Sequence, residues 1–213
     1  MSAILTPMSS LRLVMWQPSI LNQPLVIIAS GPSLTDEQIK LVKEAGPKVL
    51  VINDNYLKYP TADFLYACDL KWWDWHAERK ELKQFFGQKI TQDKAAAEKY
   101  NIQYIESHGK MALSTDPKII HQGMNSGYQA INLAYHMRPT KVILLGYDMQ
   151  FGPNNESHWF GDHPDKVRSG YGSWMIGYAS IAEHAKKLNF EIINCTERTA
   201  LTCFPKAKLQ DVL

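Results

Sequence analysis

The chain has little cysteine, no long apolar run and no excess of one charge. Cys68, Cys195 and Cys203 are odd in number and far apart. That excludes a disulfide framework or a paired-cysteine metal motif and favours a reducing, cytoplasmic setting. No window approaches the roughly 18 uninterrupted apolar residues of a membrane span. Pro7, Arg12 and Pro18 break the mildly apolar start, which lacks a basic lead-in and reads as an arm rather than a signal peptide. Lys and Arg number 23 against 21 Asp and Glu, with no basic run to serve as a nucleic-acid arm. Three motifs are also missing. Without Gly-x-x-x-x-Gly-Lys-Ser/Thr this is not a P-loop kinase of the usual kind. Without Gly-x-Gly-x-x-Gly after the first strand a dinucleotide site is disfavoured. Without a Gly-x-Ser-x-Gly elbow an acyl hydrolase is disfavoured as well.

What is present begins at Leu25. Leu-Val-Ile-Ile-Ala runs into Ser30-Gly31-Pro32-Ser33 and then a helix-type stretch, Thr35 to Ala45. This reads as strand, tight turn, helix. Such a turn aims backbone N–H groups at a helix N-terminus, where an anion is favoured. Gly31 permits close backbone approach, and Ser30 or Ser33 either caps the helix or bonds a phosphate.

The pattern repeats. Further strands are predicted at Lys48–Ile52, Asp63–Ala67, Gln88–Thr91, Ile102–Ile105, Lys141–Leu145 and Phe190–Asn194. Helices are predicted at Leu70–Phe86, Asp93–Tyr100, Ser126–Met137 and Ser169–Leu188, while 106–123 is rich in loop residues. With 213 residues, 45% of them hydrophobic, the chain can bury one substantial core. Alternating strands and helices, with strands apolar throughout, specify the α/β class: one domain, a mostly parallel sheet and helices on both faces. Residues 1–24 read as an arm, 25–195 as the domain and 196–213 as a tail.

Small or polar residues collect after the strands: Ser30 to Ser33, Asn53-Asp54-Asn55, Asp69, and Gly146-Tyr147-Asp148. In a parallel sheet those ends share one edge, so the segments converge on one ligand crevice. Asn125-Ser126-Gly127 opens a helix: Ser126 is either its N-cap or, with Gly127, a second helix start facing the same ligand. The loop after Asp148 holds His158 and His163, five apart, without the further ligands of a zinc site. Each is a solvated loop histidine or a proton acceptor near neutral pH. The aromatic-rich loop is itself a candidate lid. Trp72, Trp73 and Trp75 cannot all face one core. They pack against the arm or a subunit interface, which leaves a homo-oligomer open, or they form a stacking surface for a base or sugar ring. No Lys/Arg stripe accompanies them, so they do not make a clear nucleic-acid site.

In order and spacing, Ile-Ile-Ala-Ser-Gly-Pro-Ser-Leu, Asn53, Ser126-Gly127, Ile-Leu-Leu-Gly-Tyr-Asp-Met and Ser157 to His163 resemble the bacterial sialyltransferases that use CMP-sialic acid. The same order is similar to the uncharacterised-domain family that includes the archaeal 6-hydroxymethylpterin diphosphokinase, with many small phage and prophage members. The likeness spans about residues 25 to 195. It implies a Rossmann-like, nucleotide-binding transferase, glycosyltransferase-like, with a nucleotide-sugar donor of the CMP type and a small-molecule or glycan acceptor. It implies that Ser30, Gly31, Pro32, Ser33, Asn53, Ser126 and Gly127 hold the nucleotide and that His163 or His158 is the general base, with no cofactor required. Ser30 stands where that family has Asn. The diphosphokinase likeness implies instead Mg²⁺ and ATP phosphates held by Asp54, Asp69 and Asp148. A non-catalytic nucleotide-binding protein is the third reading.

Overall fold

Leu25, Val26, Ile27 and Ile28 are all completely buried. Successive strand residues point to opposite faces, so a strand apolar at every position needs cover on both sides. The structure, a computed structural model describing residues 19–161 and 170–213, supplies that cover. Strand β1 (Leu25–Ile28) leads through helix α1 (Asp36–Ala45) to β2 (Lys48–Ile52) and β3 (Phe64–Tyr66). Helices α2 (Leu70–His76) and α3 (Lys80–Lys83) precede β4 (Gln88–Thr91), α4 (Lys94–Tyr100) and β5 (Gln103–Tyr104). A two-stranded parallel ribbon, β6 (Glu106–His108) and β7 (Ile119–His121), occupies the loop-rich stretch. Helix α5 (Ser126–Met137), β8 (Val142–Leu145), α6 (Tyr171–Lys187) and β9 (Ile192–Asn194) complete the domain.

Seven strands form one sheet in the order β5-β4-β3-β2-β1-β8-β9, and every pairing is parallel. Leu25 and Ile27 join a core with Tyr128 and Ile131 of α5 and Ile181 of α6. Val26 and Ile28 join a second core with Ile39 and Val42 of α1 and Trp72 and Trp73 of α2. The two clusters are the two faces of one sheet, each covered by helices. This is a single Rossmann-like α/β domain. Each fully buried aliphatic side chain contributes about 1.5–3 kcal/mol of transfer free energy, so β1 is the anchor of both layers.

Three local expectations change. The helix expected over Leu70–Phe86 is broken at 77–79. The break brings Leu82 and Phe85 back onto the same core as Trp72 and Trp73. Helix α1 is capped by Thr35, not by Ser30 or Ser33: Thr35 accepts from Gln38 N–H, and the Gln38 side chain accepts from Thr35 N–H. The segment 196–213 is packed rather than trailing. Leu201, Phe204 and Leu209 are buried, and Asn194 N–H donates to Pro205 O at 2.8 Å. Among the described residues no helix is long and apolar enough to cross a membrane.

Candidate functional site

Strand β1 has β2 on one side and β8 on the other, so the chain leaves it in opposite directions. Crevices for ligands form at the carboxyl ends of strands where that reversal occurs. A cavity of about 670 Å³ lies there. Of the residues expected at the site, Ser30, Gly31, Asn53, Asp69, Ser126, Gly127, Asp148 and His158 line it. Pro32, Ser33 and Asp54 do not line it, and His163 lies outside the described residues.

The first turn owes its sequence to β8 more than to a ligand. Gly31 N–H donates to Gly146 O at 2.9 Å, and a Cβ on Gly31 would overlap the Asp148 carboxylate. The glycine is required by crowding, not by a left-handed backbone. Ser33 N–H donates to Asp148 Oδ2 at 3.0 Å, which commits that N–H to the protein rather than to a ligand. The other carboxylate oxygen, Oδ1, is buried without a partner, and Asp148 is 2% exposed. Burial pushes its carboxyl up to about 6, against the lowering from Ser33 hydrogen bonding and the Arg198 charge. The N-terminus of α1 is closed as an anion site: its capping box takes up the Gln38 N–H, and acidic Asp36 and Glu37 fill the first turn.

Asn53 lines the cavity in a left-handed conformation, φ 51°, which Asn tolerates better than most residues. Asp54 turns the other way. It accepts from Trp72 Nε1 at 2.8 Å and lies 3.5 Å from Nε2 of buried His76, whose Nδ1 meets Tyr56 Oη at 2.8 Å. This array orients Trp72, one edge of which lines the cavity while His76 stacks on it, ring centroids 4.2 Å apart.

The start of α5 does face the cavity, with a different cap from the one expected. Asn125 is the N-cap; its Oδ1 accepts from Tyr128 N–H at 2.9 Å and from Tyr178 Oη at 2.7 Å. Both Asn and Ser cap well, so adjacent candidates are not separable by residue type. Ser126 instead donates to Cys68 Sγ at 3.1 Å. Burial pushes the Cys68 thiol well up, which leaves it protonated and a poor nucleophile.

The loop after β8 is docked on the first turn. Trp159 N–H donates to Ser30 O at 3.1 Å, and Trp159 Nε1 donates to Asn55 Oδ1 at 2.9 Å. Asn55 Nδ2 donates in turn to Ser30 Oγ at 2.9 Å. Asn55 is thus the buried residue linking three segments. His158 stacks on Phe160, centroids 5.0 Å apart, and lines the cavity. Trp75, Tyr171 and Trp174 add aromatic surface, and Lys71 is the one Lys or Arg among the described lining residues.

Sequence reasoning passed over Lys71 and Gln92, and gave the cap of α5 to Ser126 rather than to Asn125 beside it. Neither Lys71, in the first turn of α2, nor Gln92, directly after β4, carries a turn signature of its own. Among the described residues no group of three or more His, Cys, Asp and Glu side chains stands together as a metal site. With Asp54 hydrogen-bonded to Trp72 and turned toward His76, the donor set for Mg²⁺ is not assembled from Asp54, Asp69 and Asp148. Compared with family models, curated proteins and solved structures, the chain matches none.

Proposed function

We propose that the protein is a nucleotide-binding transferase, glycosyltransferase-like, that takes a nucleotide-sugar donor. The observation carrying this reading is the convergence of Ser30–Gly31, Asn53, Ser126–Gly127, Asp148 and His158 on one cavity at the point where strand order reverses. The charge of the lining favours a donor of low charge. The described lining carries one lysine, Lys71, and two carboxylates, Asp69 and Asp148, which suits a nucleoside monophosphate sugar better than a triphosphate.

The N-terminus of the 12-residue helix α5 supplies N–H groups and a positive dipole end for the donor phosphate. The aromatic walls take the base and exclude water. His158 accepts the proton of the acceptor hydroxyl as its oxygen bonds to the sugar. The sugar–phosphate C–O bond breaks, and the nucleotide leaves with the electron pair, stabilised by Lys71 and the start of α5. Proton transfer of this kind contributes about 10²–10⁴ in rate. His163 is the second candidate for the same role.

The Mg²⁺-dependent diphosphokinase ranks below this, because its carboxylates do not gather. A non-catalytic binding protein is separated by turnover. The test is a thermal-shift screen over nucleotides and nucleotide sugars, with and without Mg²⁺, followed by transfer assays on hits. A ligand at 100 times its Kd adds about 2.7 kcal/mol. The expected result is metal-independent stabilisation by a nucleotide sugar, with transfer lost in His158→Ala/His163→Ala while binding persists. Full turnover by the double variant removes the mechanism.

A further inference from the structure

Four buried side-chain atoms among the described residues have no hydrogen-bond partner: Ser33 Oγ, Gln92 Oε1, Gln103 Oε1 and Asp148 Oδ1. Two of these residues, Gln92 and Asp148, line the cavity. A buried acceptor left unpaired costs about 1–3 kcal/mol, and although the Ser33 hydroxyl acts on the Asp148 carboxyl, neither Asp148 Oδ1 nor Gln92 Oε1 has a formed hydrogen bond, so both are open to a further donor.

Their positions in the sheet make the pair informative. Gln92 directly follows β4 and Asp148 follows β8 by three residues. The Asp148 carboxylate folds back over Gly31 at the end of β1, so β3 and β2 lie between the two acceptors. Three strand spacings amount to about 14 Å. Lys71, after β3, and the start of α5 also line the cavity, and both favour negative charge. The lining therefore offers unpaired acceptors at two well-separated strand ends as well as an anion-binding element.

We infer that Gln92 and Asp148 are the terminal hydrogen-bond acceptors for one extended ligand, which carries hydroxyl or amino donors at both ends and a phosphodiester between them. Gln92 is a specificity-determining residue in this arrangement. The inference rests on the nucleotide-sugar reading for its favoured ligand class, since nucleoside, phosphate and sugar have that order of donors and charge. A single short ligand reaches only one of the two acceptors.

The test is isothermal titration of the full chain with four probes: CMP, CMP-N-acetylneuraminate, UDP-glucose and glycerophosphoinositol, a base-free phosphodiester with hydroxyls on both sides. The variants are Gln92→Leu, Gln92→Glu and Asp148→Asn, each checked for a native urea midpoint. Asp148→Asn can keep an oxygen on Ser33 N–H while turning the unpaired acceptor into a donor. The expected result is a nucleotide-sugar Kd raised about tenfold by Gln92→Leu and by Asp148→Asn, with substantial recovery in Gln92→Glu. CMP should respond to only one of the two sites.

Nucleotide-sugar binding insensitive to both sites overturns the inference and leaves the functional reading standing. CMP weakened equally by both sites also overturns it. Glycerophosphoinositol binding that depends on Gln92 and Asp148, without nucleotide-sugar binding, sustains the inference and removes the nucleotide reading. No binding of any probe removes both. Because Gln92 is only half-buried, its variants keep the test decisive if Asp148→Asn does not fold.

Discussion

The carboxylate of Asp148 fills the space that a side chain at position 31 would need, so Gly31 and Asp148 are one unit. Replacing Gly31 with Ala drives a methyl group into Asp148 and into Gly146 O, which would lie 2.5 Å away. Backbone is the obstacle, so the turn must shift. Gly31→Ala should lower stability by about 1–3 kcal/mol and weaken nucleotide-sugar binding. Urea denaturation and thermal shift with ligand check both.

The same carboxylate sets a pH dependence. Its folded-state value, about 6, is raised above the ordinary 3.8. The native state therefore holds the proton more tightly than the unfolded chain. The associated stability is fully present below about pH 4 and is lost as pH rises through 6, on the order of 3 kcal/mol in all. Exposed Asp36, Asp74 and Glu78, whose lysine and tyrosine partners lower them, act with the opposite sign. The difference between wild type and Asp148→Asn isolates the effect. The variant should gain on the wild type between pH 4 and 6, read from urea midpoints at each pH.

Asn125 and Ser126 separate cap from neighbour. Asn125→Ala removes the N-cap of α5 and a partner of the Tyr178 hydroxyl, and should cost about 1–3 kcal/mol. Ser126→Ala leaves the cap in place and should cost under about 1 kcal/mol. Equal losses in denaturation would contradict the assignment.

The docked loop is testable through Trp159. Trp159→Phe removes the indole N–H that donates to Asn55. A loss of about 1 kcal/mol raises the locally open population about fivefold. Limited proteolysis within residues 151–161 should accelerate accordingly, while the global urea midpoint moves less.

Much of the fold was readable because strands buried on both faces are apolar at every position, as in Val142–Leu145. The rim was readable for the same topological reason: parallel strands place Ser30, Asn53, Asp69 and Asp148 at one edge. What resisted reading depends on contacts distant in sequence. Nothing in Leu201, Phe204 and Leu209 has a helix or strand period, yet all three are buried. Gly31 reads as room for a ligand until Asp148, 117 positions on, is seen filling it. Asp54 reads as a rim residue like its neighbour Asn53, but the short 3-10 turn at Asn53–Tyr56 points it toward Trp72. Gln92 carries no signal at all, since a glutamine after a short strand is ordinary.

The most direct measurement is a map of backbone amide chemical shifts on titration with a cytidine nucleotide sugar. Changes concentrated at Ser30, Gly31, Asn53, Ser126 and Gly127, saturating together, are the predicted result. Changes confined elsewhere, such as the small hollow beside Trp73 and Tyr100, or no change at any concentration, would contradict it.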